Sequence, residues 1–230
     1  MASKKVIFII VEGPSDESAL GFQFDHFFEK DKVFVDVIHG DITTLEGVSF
    51  SNIINKINDE INNEIKRQRF KKKDICRIIH IIDIDGVFID DENIVFQSNC
   101  DKPIYEDECI LTSCIDRIKK RNEQKKQILL RLFSNSVIAK IPYKAFYMSV
   151  NLDHVLYNKR NLTDEEKEDE AYLFAKKYKD DLNGFVEYIN SQDLYSGENY
   201  KESIDYLMID NNSLHRHTNL ALLFNEKIEC

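Results

Sequence analysis

Val6-Ile7-Phe8-Ile9-Ile10-Val11 is an unbroken apolar run, mostly β-branched. Such a run suits a strand buried on both faces of a parallel sheet. Ser15 to Lys30 then reads as a helix. Ser15 serves as its cap, Asp16 and Glu17 sit in the first turn where the dipole favours acids, and Leu20, Phe24, Phe27 and Phe28 form its apolar stripe. Val33 to Ile38 is a second short strand. Phe50, Ile53, Ile54, Ile57, Ile61 and Ile65 recur at three and four residues and predict a long amphipathic helix. Cys76 to Ile82 is a third apolar strand, ending on Asp83-Ile84-Asp85-Gly86. Residues 87–108 read as an excursion of short extended pieces and polar turns, and 110–133 as another helix with Ile115, Ile118, Ile128, Leu129 and Leu132 on one side. Tyr143 to Val150 is a fourth strand.

Strand and helix thus alternate through about residue 150. This predicts an α/β fold whose mainly parallel, four-stranded sheet is built by right-handed crossovers and flanked by helices. Beyond Val150 the pattern turns helical. Thr163-Asp164-Glu165-Glu166 is a capping box, and Phe185 with Ile189, Ile204 with Leu207, and Leu220 with Leu223 mark three short helices. Residues 151–230 are expected to form a helical extension packed on the same core as 1–150. The seven Gly and three Pro leave no flexible linker.

Composition changes this picture little. Hydrophobic residues make up 43% and charged residues 31% of 230, an ordinary globular balance. No apolar run reaches the roughly 18 residues of a membrane-spanning helix, so a cytoplasmic protein without a membrane partner is expected. The five cysteines are odd in number and form no CxxC pair, which reads as reduced thiols. Cys100, Cys109 and Cys114 lack the usual zinc spacing.

Charge is more informative. The net charge of −10 argues against nonspecific nucleic-acid binding by the whole surface. Yet Lys66, Arg67, Arg69, Lys71, Lys72 and Lys73 fall within eight residues, and Arg117 to Lys126 holds six cations and one acid. Such windows suit contact with a polyanion; the plain alternative is a solvated helix face. In the tail, Ser213 to Leu220 is expected to open the last helix, where Arg216, Thr218 and free N–H groups can hold a phosphate. The plain reading there is a capped surface helix. His215 and His217 are further ligand candidates, and His80 reads as a core histidine.

In open α/β sheets ligands sit at the carboxyl ends of strands. Glu12 ends the first strand, and Gly13 is expected to let the chain turn sharply after it. Asp16, four residues on, can fold back toward Glu12. Asp83 and Asp85, at the end of the third strand, share a face when extended. Four converging acids repel one another unless protons or cations neutralise them, and hard oxygen ligands suit Mg²⁺ or Mn²⁺.

Val11-Glu12-Gly13-Pro14-Ser15-Asp16-Glu17 and Asp83-Ile84-Asp85-Gly86, each after a strand, resemble the two signature motifs of the Toprim domain. This is the catalytic fold of type IA and type II topoisomerases, bacterial primases, OLD-family nucleases and the ribonuclease that matures 5S ribosomal RNA. The resemblance spans about residues 5–150, with 87–108 as an insertion. It implies that Glu12 is a metal ligand or general acid/base, that Asp83 and Asp85 hold the divalent metal, and that Asp16 is the second acid of the Glu-x-x-x-Asp version found in OLD-type nucleases. Asp153 stands where some stand-alone relatives place an acidic residue after a strand, and is a further ligand candidate or an ordinary helix-start acid. Two features depart from the family. Many members have a glycine three residues after the second Asp, where this chain has Phe88, and the 87–108 insertion, with its Asp90-Asp91-Glu92 turn, is unusual.

The implied activity is metal-dependent hydrolysis of phosphodiester bonds in tRNA or DNA, with water as nucleophile. No GxxxxGK[ST] loop occurs. The resemblance therefore implies the effector of an antiphage defence system, gated by a separate ABC-type ATPase, with room for a homodimer. The alternatives are a non-catalytic Toprim-fold regulatory or nucleic-acid-binding subunit, or a processing enzyme of the 5S-maturase or primase kind.

Overall fold

The structure, a computed structural model, describes residues 5–28, 33–39 (backbone only), 42–194 and 197–226. In chain order the first half comprises β1 (Lys5–Val11), α1 (Pro14–Phe27), β2 (Val33–His39), α2 (Ile53–Gln68) and β3 (Ile75–Asp83). Then come β4 (Ile94–Phe96), β5 (Ile104–Tyr105), β6 (Ile110–Thr112), α3 (Ile115–Phe133), β7 (Val137–Ile138) and β8 (Ile141–Met148). The chain continues with α4 (Leu152–Tyr157), α5 (Asp164–Tyr178), α6 (Leu182–Ile189), α7 (Tyr200–Leu207) and α8 (Ala221–Asn225).

β2, β1, β3 and β8 lie side by side and parallel, and β7 closes the β8 edge as an antiparallel strand. The fold is therefore α/β with a mostly parallel sheet. β1 lies between β2, which follows it, and β3, which comes next in the chain. The winding direction reverses there, so a crevice opens between the carboxyl ends of β1 and β3.

Successive β1 residues feed opposite layers, which is why the run reads as continuously apolar. Val6, Phe8 and Ile10 pack with Ile53, Ile57 and Ile61 of α2 and with Ile128, Leu129 and Leu132 of α3. Ile7, Ile9 and Val11 pack with Leu20 and Phe24 of α1 and with Phe174, Phe185 and Phe224 of α5, α6 and α8. Residues beyond 150 enter both layers, since Ile204 and Leu207 of α7 join the α2–α3 side. The Thr163–Glu166 capping box forms as expected, with Thr163 N–H donating to Glu166 and Glu166 N–H to the Thr163 hydroxyl.

Several local expectations are corrected. The helix expected over 110–133 begins only at Ile115, because Ile110–Thr112 is strand β6, the centre of a separate three-stranded sheet ordered β4-β6-β5. The cap of α1 is Gly13 rather than Ser15. The helix ends at Phe27, and the expected end at Lys30 lies outside the described residues. Gly13 is extended at φ −149° with open space where a Cβ would stand, so nothing there demands glycine. Gly86 is different. Its φ is +63°, and a Cβ would meet Leu214 Cδ2 at 2.4 Å.

Phe185 is fully buried, with the rings of Phe174, Tyr178 and Phe224 around it. Phe185→Ala is expected to lower the free energy of unfolding by about 3–5 kcal/mol in denaturant titrations. A loss under about 1 kcal/mol would show that the helices beyond 150 are only loosely joined to the sheet.

Candidate functional site

Glu12 and Asp83 face each other across the mouth of the β1–β3 crevice. The Asp83 N–H donates to Glu12 Oε1 at 3.2 Å, so the backbone of one strand orients the carboxylate of its neighbour. Asp83 Oδ1 accepts the Leu152 N–H at 3.0 Å, at the start of α4. Asp16 does fold back, but onto backbone. Its Oδ2 accepts the N–H groups of Gly13 (3.0 Å) and Glu12 (3.1 Å), which closes the first turn of α1. Asp85 takes left-handed backbone, φ 54°, and its N–H donates to Val150 O at 2.7 Å. This turn sends its side chain toward α3. There Asp85 Oδ2 meets Lys125 Nζ at 2.6 Å and Oδ1 accepts the Tyr105 hydroxyl at 3.3 Å.

Three further groups complete the site: Lys125 and Arg121, which the sequence offered only as part of the Arg117–Lys126 basic window, and Tyr105, which it did not single out. Lys125 is 1% exposed and also lies 3.9 Å from Glu12 Oε1. Arg121 donates to Asp85 O (2.9 Å) and to the Tyr105 hydroxyl (2.8 Å). Tyr105 comes from the insertion, which therefore reaches the site. A fourth group, Lys167 of α5, pairs with the buried Asp153 at 3.2 Å. Lys125 left a trace in the sequence. Ile118, Asn122, Lys125, Leu129 and Leu132 alternate steps of four and three, so Lys125 occupies the inward stripe of α3 and its ammonium needs a buried partner.

The charges are unequally compensated. Desolvation, then the charges of Glu12, Asp16 and Asp85, push Asp83 well above the ordinary carboxylate range. Asp16 is also raised, by burial and by Asp153, against the two N–H bonds that lower it. Burial raises Asp153 too, despite its Lys167 partner. Asp85 goes the other way. Burial alone would raise it, but Lys125 and Arg121 outweigh that and hold it below the usual range. One side of the cluster is neutralised by α3, while the crevice side keeps excess negative charge.

Among the described residues, no group of three or more His, Cys, Asp or Glu is arranged to hold a metal ion. Each acid is turned to a protein donor: Asp85 to Lys125, Asp16 to backbone N–H groups, Asp83 to Leu152. The donor set nonetheless matches hard divalent cations, and a cation between Glu12, Asp83 and Asp85 would relieve the repulsion that lifts Asp83.

Other sequence candidates fall elsewhere. Lys66 to Lys73 leads into the first residue of β3, so it lies a strand length, roughly 26 Å, from the carboxylates. Arg67 there forms a two-bond pair with Glu64. The last helix begins at Ala221, so Arg216 does not open it. Arg216 Nε donates to His154 O (3.2 Å) and Val155 O (2.9 Å), and its guanidinium also bonds the Tyr188 hydroxyl. Asp91 pairs with Lys119 at 3.1 Å. His80 is buried against the Tyr143 hydroxyl, as expected of a core histidine. The expectation of reduced thiols holds for Cys100, Cys109 and Cys114 but not for Cys76, which is disulfide-bonded.

Two measurements follow from these charges. Asp83→Asn keeps an acceptor for the Leu152 N–H and removes the repelled charge. At pH 7 in chelator it is expected to raise Tm by about 2–4 °C, the shift that about 1 kcal/mol gives in a chain of this size. A lower Tm would show the carboxylate to be net stabilising. His154 is buried and held down to about 3 by burial, Arg160 and Arg216. Unfolded, it titrates near 6.5, so the stability involved is complete above about pH 6.5 and is lost as pH falls toward 3. His154→Gln is expected to flatten the acid-side slope by up to about 1.4 kcal/mol per pH unit in urea titrations. An unchanged slope would mean that the native ring protonates freely.

No family model, curated protein or solved structure matches the chain.

Proposed function

We propose that this chain is a Toprim-type, metal-dependent nuclease that hydrolyses phosphodiester bonds in tRNA or DNA, acting as the effector of an antiphage defence system beside a separate ABC-type ATPase. The observation that carries the chemistry is the pair Glu12 and Asp83 at the β1–β3 crevice, joined by the Asp83 N–H and surrounded by Asp16 and Asp85. Ligands in open α/β sheets bind at such a reversal of strand order. The defence assignment rests on the resemblance of the Glu12–Asp16 and Asp83–Asp85 motifs to OLD-type nucleases and on the absence of a phosphate loop from the sequence.

In this reading Glu12, Asp83 and Asp85 hold Mg²⁺ or Mn²⁺, which when bound neutralises charge on the phosphodiester and acidifies a water. Glu12, oriented by the Asp83 N–H, accepts the proton of the attacking water. Asp16 fixes the first turn of α1 and so the direction in which Glu12 leaves β1. Lys125 and Arg121 place positive charge beside the cluster, where the phosphate gains negative charge in the transition state. A second reading, a non-catalytic Toprim-fold subunit, is favoured by one observation: Asp85 is already paired with a buried lysine.

The test incubates the purified chain with labelled plasmid, single-stranded DNA and total tRNA, with Mg²⁺, Mn²⁺ or chelator. Cleavage, by the chain by itself or with its ATPase added, is expected only when metal is present and is reduced about 10²–10⁴-fold by Glu12→Ala. Undiminished cleavage by that variant, or in chelator, refutes the assignment. Calorimetry separates the two readings: metal binding that Asp83→Asn removes supports the enzyme, and absent binding together with absent cleavage supports the subunit.

A further inference from the structure

We propose that the face of α3 bearing Arg117, Lys120, Arg121 and Lys125, with Thr43 and Thr44 opposite, is a track that binds the phosphate backbone of a polynucleotide and leads it to the carboxylates. The inference rests on the nuclease reading for the direction of the track, and on separate observations for its existence.

These six residues, with Gln124, wall an open cavity of about 240 Å³, and among the described residues no acidic side chain lines it. Gln124 fixes the spacing of its two walls, because its side-chain amide donates to Val48 O at 2.5 Å and ties α3 to the turn that holds Thr43 and Thr44. The inner end of the cavity abuts the site through two side chains. Arg121 and Lys125, which line it, are the residues bonded to Asp85 O and Asp85 Oδ2. At the outer end Arg117 and Lys120 are exposed, and among the described residues neither side chain has a hydrogen-bond or ion-pair partner.

The placement of these cations is unfavourable without a ligand. Arg117, Lys119, Lys120 and Arg121 crowd the first two turns of α3, against the positive end of its dipole, with Asp116 the one acid of the first turn. The dipole disfavours a cation in the first turn, and its effect fades along the second. Lys119 has Asp91 and Arg121 has Asp85 O and Tyr105, but nothing in the described protein offsets Arg117 and Lys120. An anion in the cavity does. From Arg117 to Lys125 the row rises about 12 Å, slightly more than two helical turns. One phosphate meets one end of such a row, whereas a chain of phosphates meets all of it. The window Lys66 to Lys73 has more net charge, but it lies at the far end of β3, away from the carboxylates.

The test is fluorescence anisotropy in chelator, where the strand stays intact, with a labelled 20-nucleotide DNA strand and its RNA counterpart as separate arms. The Arg117→Ala/Lys120→Ala double variant changes exposed side chains, and an unchanged Tm confirms its fold. It is expected to bind at least tenfold more weakly than wild type. Its slope of log affinity against log salt should fall by about 1.4, the share of two phosphate contacts on a single strand. Lys72→Ala/Lys73→Ala should bind as wild type. Unchanged affinity in the first double variant, loss confined to the second, or equal binding of poly-aspartate at matched charge overturns the track. Failure of the nuclease reading looks different: binding still depends on Arg117 and Lys120 while Glu12→Ala changes no cleavage. Wild-type cleavage rates in the Arg117/Lys120 variant remove the track and leave the nuclease standing.

Discussion

Carboxylates gather where β1 and β3 end because the sheet leaves them no other place, and Lys125 is the charge that makes the gathering tolerable. Its ammonium is withdrawn from solvent and held 2.6 Å from Asp85. Removing one member of a buried pair leaves the other uncompensated, at a cost of about 3–5 kcal/mol. The position of α3 over the sheet is therefore constrained at its midpoint by charge and in its second half by Ile128, Leu129 and Leu132. The first half is anchored separately, with Ile118 and Ile115 packed against Ile94 and Ile110 of the small sheet. The partial neutralisation also divides the acids into two kinds: Asp85, kept ionised by α3, and Asp83, which burial and then its acidic neighbours make retain its proton to higher pH.

The strands of the central sheet were legible because burial on both faces leaves an uninterrupted apolar run, a pattern that competes with nothing else in β1 or β3. Their terminal acids were legible for the same reason, since a carboxylate that directly follows such a run has to emerge at a strand end. The short elements were not. β7 and β8 are joined by Ala139 and Lys140, both at positive φ, where the usual Asn-Gly or Asp-Gly signal is missing. β6 was absorbed into the following helix because Ile110-Leu111-Thr112 continues its apolar content without a breaker. Tyr105 was invisible in principle. Its role depends on a 20-residue separation from Asp85 being closed by a small sheet whose pairing has no local signature.

Basic windows in the sequence were judged by density, and density is a poor guide to placement. Lys66 to Lys73 is the denser window, yet the helix and turn that carry it point away from the carboxyl ends of the strands. The 117–126 window is diluted by Ile118, Asn122 and Glu123, and that dilution is the mark of a helix with one face committed to the interior. Arg216 illustrates the converse. It sits near the sequence signal of a helix start, but three protein oxygens already accept from its guanidinium.

The helices beyond residue 150 line both sides of the sheet, Phe185 and Phe224 on one and Ile204 and Leu207 on the other. Their loss would uncover apolar strand faces on two sides at once. The stretch that carries the carboxylates and the stretch that follows it thus share their buried surface, so one cooperative unfolding transition is the expectation. For evolution, an exchange of the tail as a module would have to refit both packed faces at once. The tail can drift only in residues that face water, while the rest is bound to the same packing constraint as β1.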